Sequence, residues 1–71
     1  MQIVLFLERK RRRLSQYQLA KMIGMSESSY RAKENDEQQF EMAEMFAISD
    51  IFNKTISEIF SPRKYTKRVL E

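Results

Sequence analysis

The 71-residue chain contains no histidine and no cysteine. The commonest general base and the strongest protein nucleophile are therefore both missing. Its ten carboxylates fall on polar stretches without a converging pattern, which sets an enzyme aside. No catalytic residue, metal ligand, cofactor or small-molecule substrate is expected; without thiols there is neither a disulfide nor a Cys-based zinc site. The chemistry left is that of cations. Residues 1–35 hold eight Lys/Arg against three Asp/Glu, residues 36–60 one against six, and residues 61–71 four against one, so a +5 stretch and a +3 tail flank a −5 middle. A basic half suits a polyanion, with the acidic half turned away from it. The run Arg9–Arg13 also admits a plainer reading, a solvated helix end whose cations sit at the negative pole.

One domain of this size buries only about 60% of the surface its unfolded chain exposes, which favours a compact helical fold, a dimer, or both. One glycine and one proline are too few for a sandwich or barrel, which needs a turn every 8–12 residues or so. The abundant Met, Leu, Glu, Lys, Arg and Gln are good helix formers, so the expected class is all-α. The longest apolar run, Ile3–Leu7, is far below the roughly 20 residues of a membrane span. Basic residues follow that run instead of preceding it, the reverse of a secretory signal. A cytoplasmic protein is expected.

Along the chain, residues 3–12 read as a first helix, with a short strand as the alternative for the dense block Ile3–Leu7. Ser15-Gln-Tyr-Gln18 is a capping box that opens a second helix reaching about Ile23, with Leu19, Ala20 and Ile23 on one stripe. Gly24 ends it, since a left-handed residue costs glycine nothing. Ser26 caps a third helix of about Glu27 to Asn35. Residues 36–41 read as a loop. Met42, Met45, Phe46, Ile48, Ser49 and Phe52 mark a fourth helix, broken at Asn53-Lys54. Thr55-Ile-Ser-Glu58 caps a short fifth helix through Phe60, which Pro62 stops. The expected organisation is one domain over residues 1–61 and a basic tail over 62–71.

Two helices joined by a tight glycine-bearing turn make a helix-turn-helix unit. Ala20 is small enough for a close crossing, Gly24 reverses the backbone, Met25 plugs the gap and Ser26 points the next helix outward. That amino end is partly positive and can meet a phosphate.

The stretch Leu14-Ser-Gln…Leu19-Ala20…Gly24-Met25-Ser26 resembles the phage repressor/Cro-type (XRE-like) helix-turn-helix family. The likeness continues in Tyr30-Arg-Ala-Lys-Glu34, Phe40, Glu44-Met45, Ile51-Phe52-Asn53-Lys54 and Ile56–Phe60, and covers about residues 3–60. The later pattern is similar to short phage and prophage regulators of Gram-positive bacteria. The resemblance implies a five-helix repressor-like domain whose third helix reads the major groove. By position, Glu27, Ser28, Arg31 and Ala32 are the base readers: Arg31 for O6 and N7 of a guanine, Glu27 for a cytosine amino group or for exclusion, Ala32 for a thymine methyl. Gln16 is implied to bind a phosphate and to brace the third helix. Tyr17, Ser26, Lys33 and Asn35 are further phosphate candidates. Three of them have a plain counterpart: a cap for Gln16, a surface aromatic for Tyr17, a snorkelling stem for Lys33. Glu34 reads as a salt-bridge partner. This chain departs from the family at Arg13 and Asp36, where a glycine is usual, at Tyr30, where an aliphatic residue is, and at Lys33, which is often apolar.

The expected function is a sequence-specific regulator of double-stranded DNA, a Cro-like repressor carried by a bacterium or its phage. One module buries only roughly 600–1,000 Å², so a homodimer on half-sites about 34 Å apart is expected. Helix 5, the loop before helix 4, the N-terminal apolar block and the tail are the candidate dimer surfaces. The alternative is a protein-interaction module on the same fold, an antirepressor or antitoxin, suggested by the acidic Glu27 at the tip of the reading helix.

Overall fold

A computed structural model describes residues 1–60. The expected tail, 62–71, lies outside the described residues. Among the described residues five helices follow one another: α1 (Ile3–Arg11), α2 (Gln16–Met22), α3 (Glu27–Glu34), α4 (Met42–Phe52) and α5 (Ile56–Ile59). No strand occurs among the described residues, and none of their helices is long and apolar enough to cross a membrane.

The strand alternative for Ile3–Leu7 is resolved as helix. Only Leu5 of that block is buried, while Ile3 and Leu7 face outward. The buried stripe of α1 continues one turn on through Glu8 and Arg9, at i+3 and i+4 from Leu5. Two charged residues thus occupy positions the helical period assigns to the interior.

Helix starts follow the capping pattern. Ser15 Oγ accepts the Gln18 amide at 3.0 Å, and Gln18 Oε1 accepts the Ser15 amide at 2.8 Å. Thr55 and Glu58 repeat this exchange at α5. Ser26 Oγ accepts the Ser29 amide at 3.2 Å. At the start of α4 the Glu41 amide donates to Glu44 Oε1 at 2.9 Å.

Four of the described residues take a left-handed backbone: Gly24 at φ +77°, Arg13 at +58°, Asp36 at +68° and Asn53 at +56°. Gly24 does so without strain. Arg13 and Asp36 hold the conformation that glycine serves in the resembling family, so the turns survive the change of residue and bear its cost. Such a residue costs about 1–2 kcal/mol when it carries a Cβ.

Leu5, Leu19, Ala20, Tyr30, Ile48, Phe52 and Ile59 form the core, with Leu14, Ile23, Met25, Phe40, Ile51 and Phe60 packed around it. Every helix contributes, which is how so short a chain closes over one interior. Phe40 stands edge-on to Tyr30 and Phe60, with ring centroids 5.9 and 5.2 Å apart, and thereby ties the loop before α4 to α3 and α5. Arg12 closes α4 from outside: its Nη2 donates to the Phe52 carbonyl at 3.0 Å and its guanidinium lies 4.6 Å from the Phe52 ring centre. A cation at that negative helix end is favourable, and α4 has none of its own in its last turn.

Candidate nucleic-acid interface

Helix α3 is held by a buried polar network. Glu34, the last residue of α3, is fully buried. Its Oε2 accepts from Arg9 Nε at 3.0 Å and from the Tyr30 hydroxyl at 2.8 Å. Its Oε1 accepts from Arg9 Nη2 at 3.1 Å and from Gln16 Nε2 at 2.7 Å. Arg9 also donates through Nη1 to the Leu14 carbonyl at 2.9 Å. One carboxylate therefore joins α1, the turn after it, α2 and α3.

A buried carboxylate is tolerable only when its lone pairs are filled, and here four donors fill them. Burial opposes ionisation of Glu34, yet the donations from Arg9, Gln16 and Tyr30 outweigh it and hold the carboxyl below its ordinary value. Burial together with that neighbouring carboxylate pushes the Tyr30 phenol up, so it stays a donor. Burial works against the Arg9 guanidinium as well, and Glu34 more than restores its charge.

The network reaches the surface through one side chain. Gln16 donates to Glu34 with its nitrogen and accepts from Arg31 Nε, at 3.2 Å, with its oxygen. Arg31 Nη2 donates in turn to Glu27 Oε2 at 2.9 Å. The interior charge pair is thus linked by Gln16 to Arg31 and Glu27, one turn apart on α3. The Arg31 side chain is 51% exposed, and a guanidinium's five donors are not exhausted by two contacts. Held at Nε and Nη2, it is restrained in direction and keeps donors for a ligand.

Ser26 and Ser28 are exposed at the start of α3, their hydroxyls 3.4 Å apart. Ala32 is partly buried and its carbonyl accepts the amides of Glu37 and Gln38. Asn35 caps the end of α3 and is exposed. Tyr17 is exposed on α2, with the Lys21 ammonium 5.6 Å from its ring centre. Lys33 stands apart from them. Its side chain is only 11% exposed, and its ammonium donates to both Glu44 oxygens at 2.8 and 2.9 Å. Burial opposes ionisation of Glu44, but Lys33 and the Glu41 amide hold its carboxyl below the ordinary value. Lys33 thus joins α3 to α4, in keeping with the apolar position it takes in the resembling family.

The basic run divides in the same manner. Arg9 is buried against Glu34, and Arg12 bridges Glu8 and the end of α4. Lys10, Arg11 and Arg13 are left exposed. Composition alone overstates the outward charge of this stretch, because it cannot tell a cation in an ion pair from one in water. The signal for Arg9 was present in its i+4 relation to Leu5. Tyr30 and Glu34, also four apart, carried the matching signal on α3.

Two short helices at a glycine turn, the second presenting a restrained arginine, agree with the comparison to known families. A family model described as Helix-turn-helix matches residues 5–59, from within α1 to the end of α5. No curated protein and no solved structure matches the chain significantly. Residues 5–59 make up most of the molecule, so the chain belongs to the helix-turn-helix family of DNA-binding regulators, in its XRE-type branch.

Proposed function

We propose that the protein is a sequence-specific transcriptional repressor that binds a palindromic operator as a homodimer, laying α3 in the major groove of each half-site. The observation that carries this reading is the restrained Arg31. A guanidinium aimed by Gln16 and Glu27 reaches O6 and N7 of a guanine at little further entropic cost. Ser28 and Ala32 flank it as readers of neighbouring bases. Glu27 accepts from a cytosine amino group or keeps phosphates away. Gln16, Tyr17, Ser26 and Asn35 set the register on the phosphates. Lys33 is left out of that set, since its ammonium is taken by Glu44. The short regulators of Gram-positive phages and prophages that the sequence resembles supply the biological setting.

Selection of binding sites from random duplexes, followed by gel shifts at known stoichiometry, tests the reading. The expected result is a palindromic site with a guanine in each half, taken up by two chains. Recovery of no enriched site, together with a protein that co-purifies with the chain, would replace it with the interaction-module alternative.

A further inference from the structure

Two helices leave matching stripes uncovered. On α1 the stripe is Ile3, Leu7 and Arg11; on α4 it is Met42, Phe46 and Asp50. Both sets fall at i, i+4 and i+8, along one helix face. The apolar members are among the most exposed large hydrophobics of the described residues, from 41% for Ile3 to 59% for Met42 and Phe46. The charges are opposite. The Arg11 side chain is 69% exposed and only grazes Glu8 at 3.4 Å, while Asp50 is exposed and has no ion-pair partner among the described residues.

We propose that the two stripes are halves of one interface between copies of this chain. Helix α1 of one copy lies parallel to α4 of the second, so that Ile3 and Leu7 meet Met42 and Phe46, and Arg11 meets Asp50. Self-pairing fits worse. Two α4 stripes set Asp50 against Asp50 when parallel and against the apolar end of the mate when antiparallel; two α1 stripes do the same with Arg11. Only the mixed pairing satisfies charge and hydrophobicity together. The helices are about 14 and 17 Å long, so one such contact falls short of the about 800 Å² per partner of a standard interface. Each copy carries both stripes, and the contact repeats reciprocally around a two-fold axis. This inference rests on the homodimer of the proposed function and not on its DNA contacts.

Sedimentation velocity of the full chain without DNA, over a range of concentrations, tests it with R11E, D50R, the double variant and an equimolar mixture of the two singles. Each single variant turns two attractive pairs repulsive and should weaken the dimer about tenfold. The double variant and the mixture should both return to within about threefold of the starting chain, because each restores opposite charges at every contact. Should R11E melt early beside Glu8, L7S and F46S test the apolar half and should each weaken association at least as much as the charge reversals. A dimer indifferent to R11E and to L7S, or weakened by D50R alone, overturns this pairing while leaving the homodimer. A chain that stays monomeric throughout overturns the homodimer as well.

Discussion

Replacing Glu34 by glutamine removes one charge from the interior and leaves the other. Arg9 is 5% exposed and its guanidinium makes two of its three hydrogen bonds to Glu34. Breaking a buried pair from one side costs about 3–5 kcal/mol, because the surviving ion is neither hydrated nor paired. A domain of this length has of order 4–10 kcal/mol of stability in all. At about 4–8 °C per kcal/mol, the melting temperature should fall by more than about 12 °C, read by far-UV circular dichroism. Arg9→Met in the same chain removes the stranded cation, so the double variant should recover at least about 2 kcal/mol relative to the sum of the single changes. The pH dependence follows with a fixed sign. The folded carboxyl of Glu34 is held below its ordinary 4.5, so its contribution is present above about pH 4.5 and is lost as the pH falls below that value. Wild-type stability should therefore drop steeply on that acid limb, and that of Glu34→Gln less steeply. A loss under about 1 kcal/mol, or strict additivity with Arg9→Met, would refute the claim that this pair locks α1 and α2 to α3.

Other consequences follow from single positions. Arg13→Gly relieves a left-handed residue whose side chain is exposed and should raise stability by about 0.5–1 kcal/mol in urea unfolding. Lys33→Met should leave the slope of log affinity against log salt unchanged, since no phosphate contact is lost. A slope reduced by about one in a salt titration would return Lys33 to the DNA-contacting set.

Much of this architecture is written in local signals. Ser15–Gln18 and Thr55–Glu58 state helix starts because a cap needs only residues three apart, and Gly24 states the turn through its own backbone freedom. The loop at 36–41 and the stop at Asn53 are legible for the same reason. What the sequence leaves open depends on partners far apart in the chain. Arg9 lies 25 positions from Glu34 and Arg12 lies 40 from Phe52, and no local rule tells which members of a basic run fold inward. Gln16 is legible by resemblance as a brace; its reading as a cap fails, because Ser15 and Gln18 make the cap of α2 between them. The two-sided hydrogen bonding of Gln16 to Glu34 and Arg31 emerges only when α2 and α3 cross. Arg13 and Asp36 show a further limit: the turn geometry persists where the residue that would announce it is absent.

If Arg31 reads the groove while held in place from the interior, Arg31→Ala and Gln16→Ala differ in their effects on two DNAs. Affinities are read by fluorescence anisotropy at one fixed salt, on the selected operator and on a scrambled duplex of equal length. Arg31→Ala should cost about 1–3 kcal/mol on the operator, roughly 5- to 150-fold, and under about twofold on the scrambled duplex. Gln16→Ala should weaken both through the lost phosphate contact, and the operator further, because Arg31 loses the brace that aims it. Equal losses from Arg31→Ala on the two duplexes would contradict its role in reading bases.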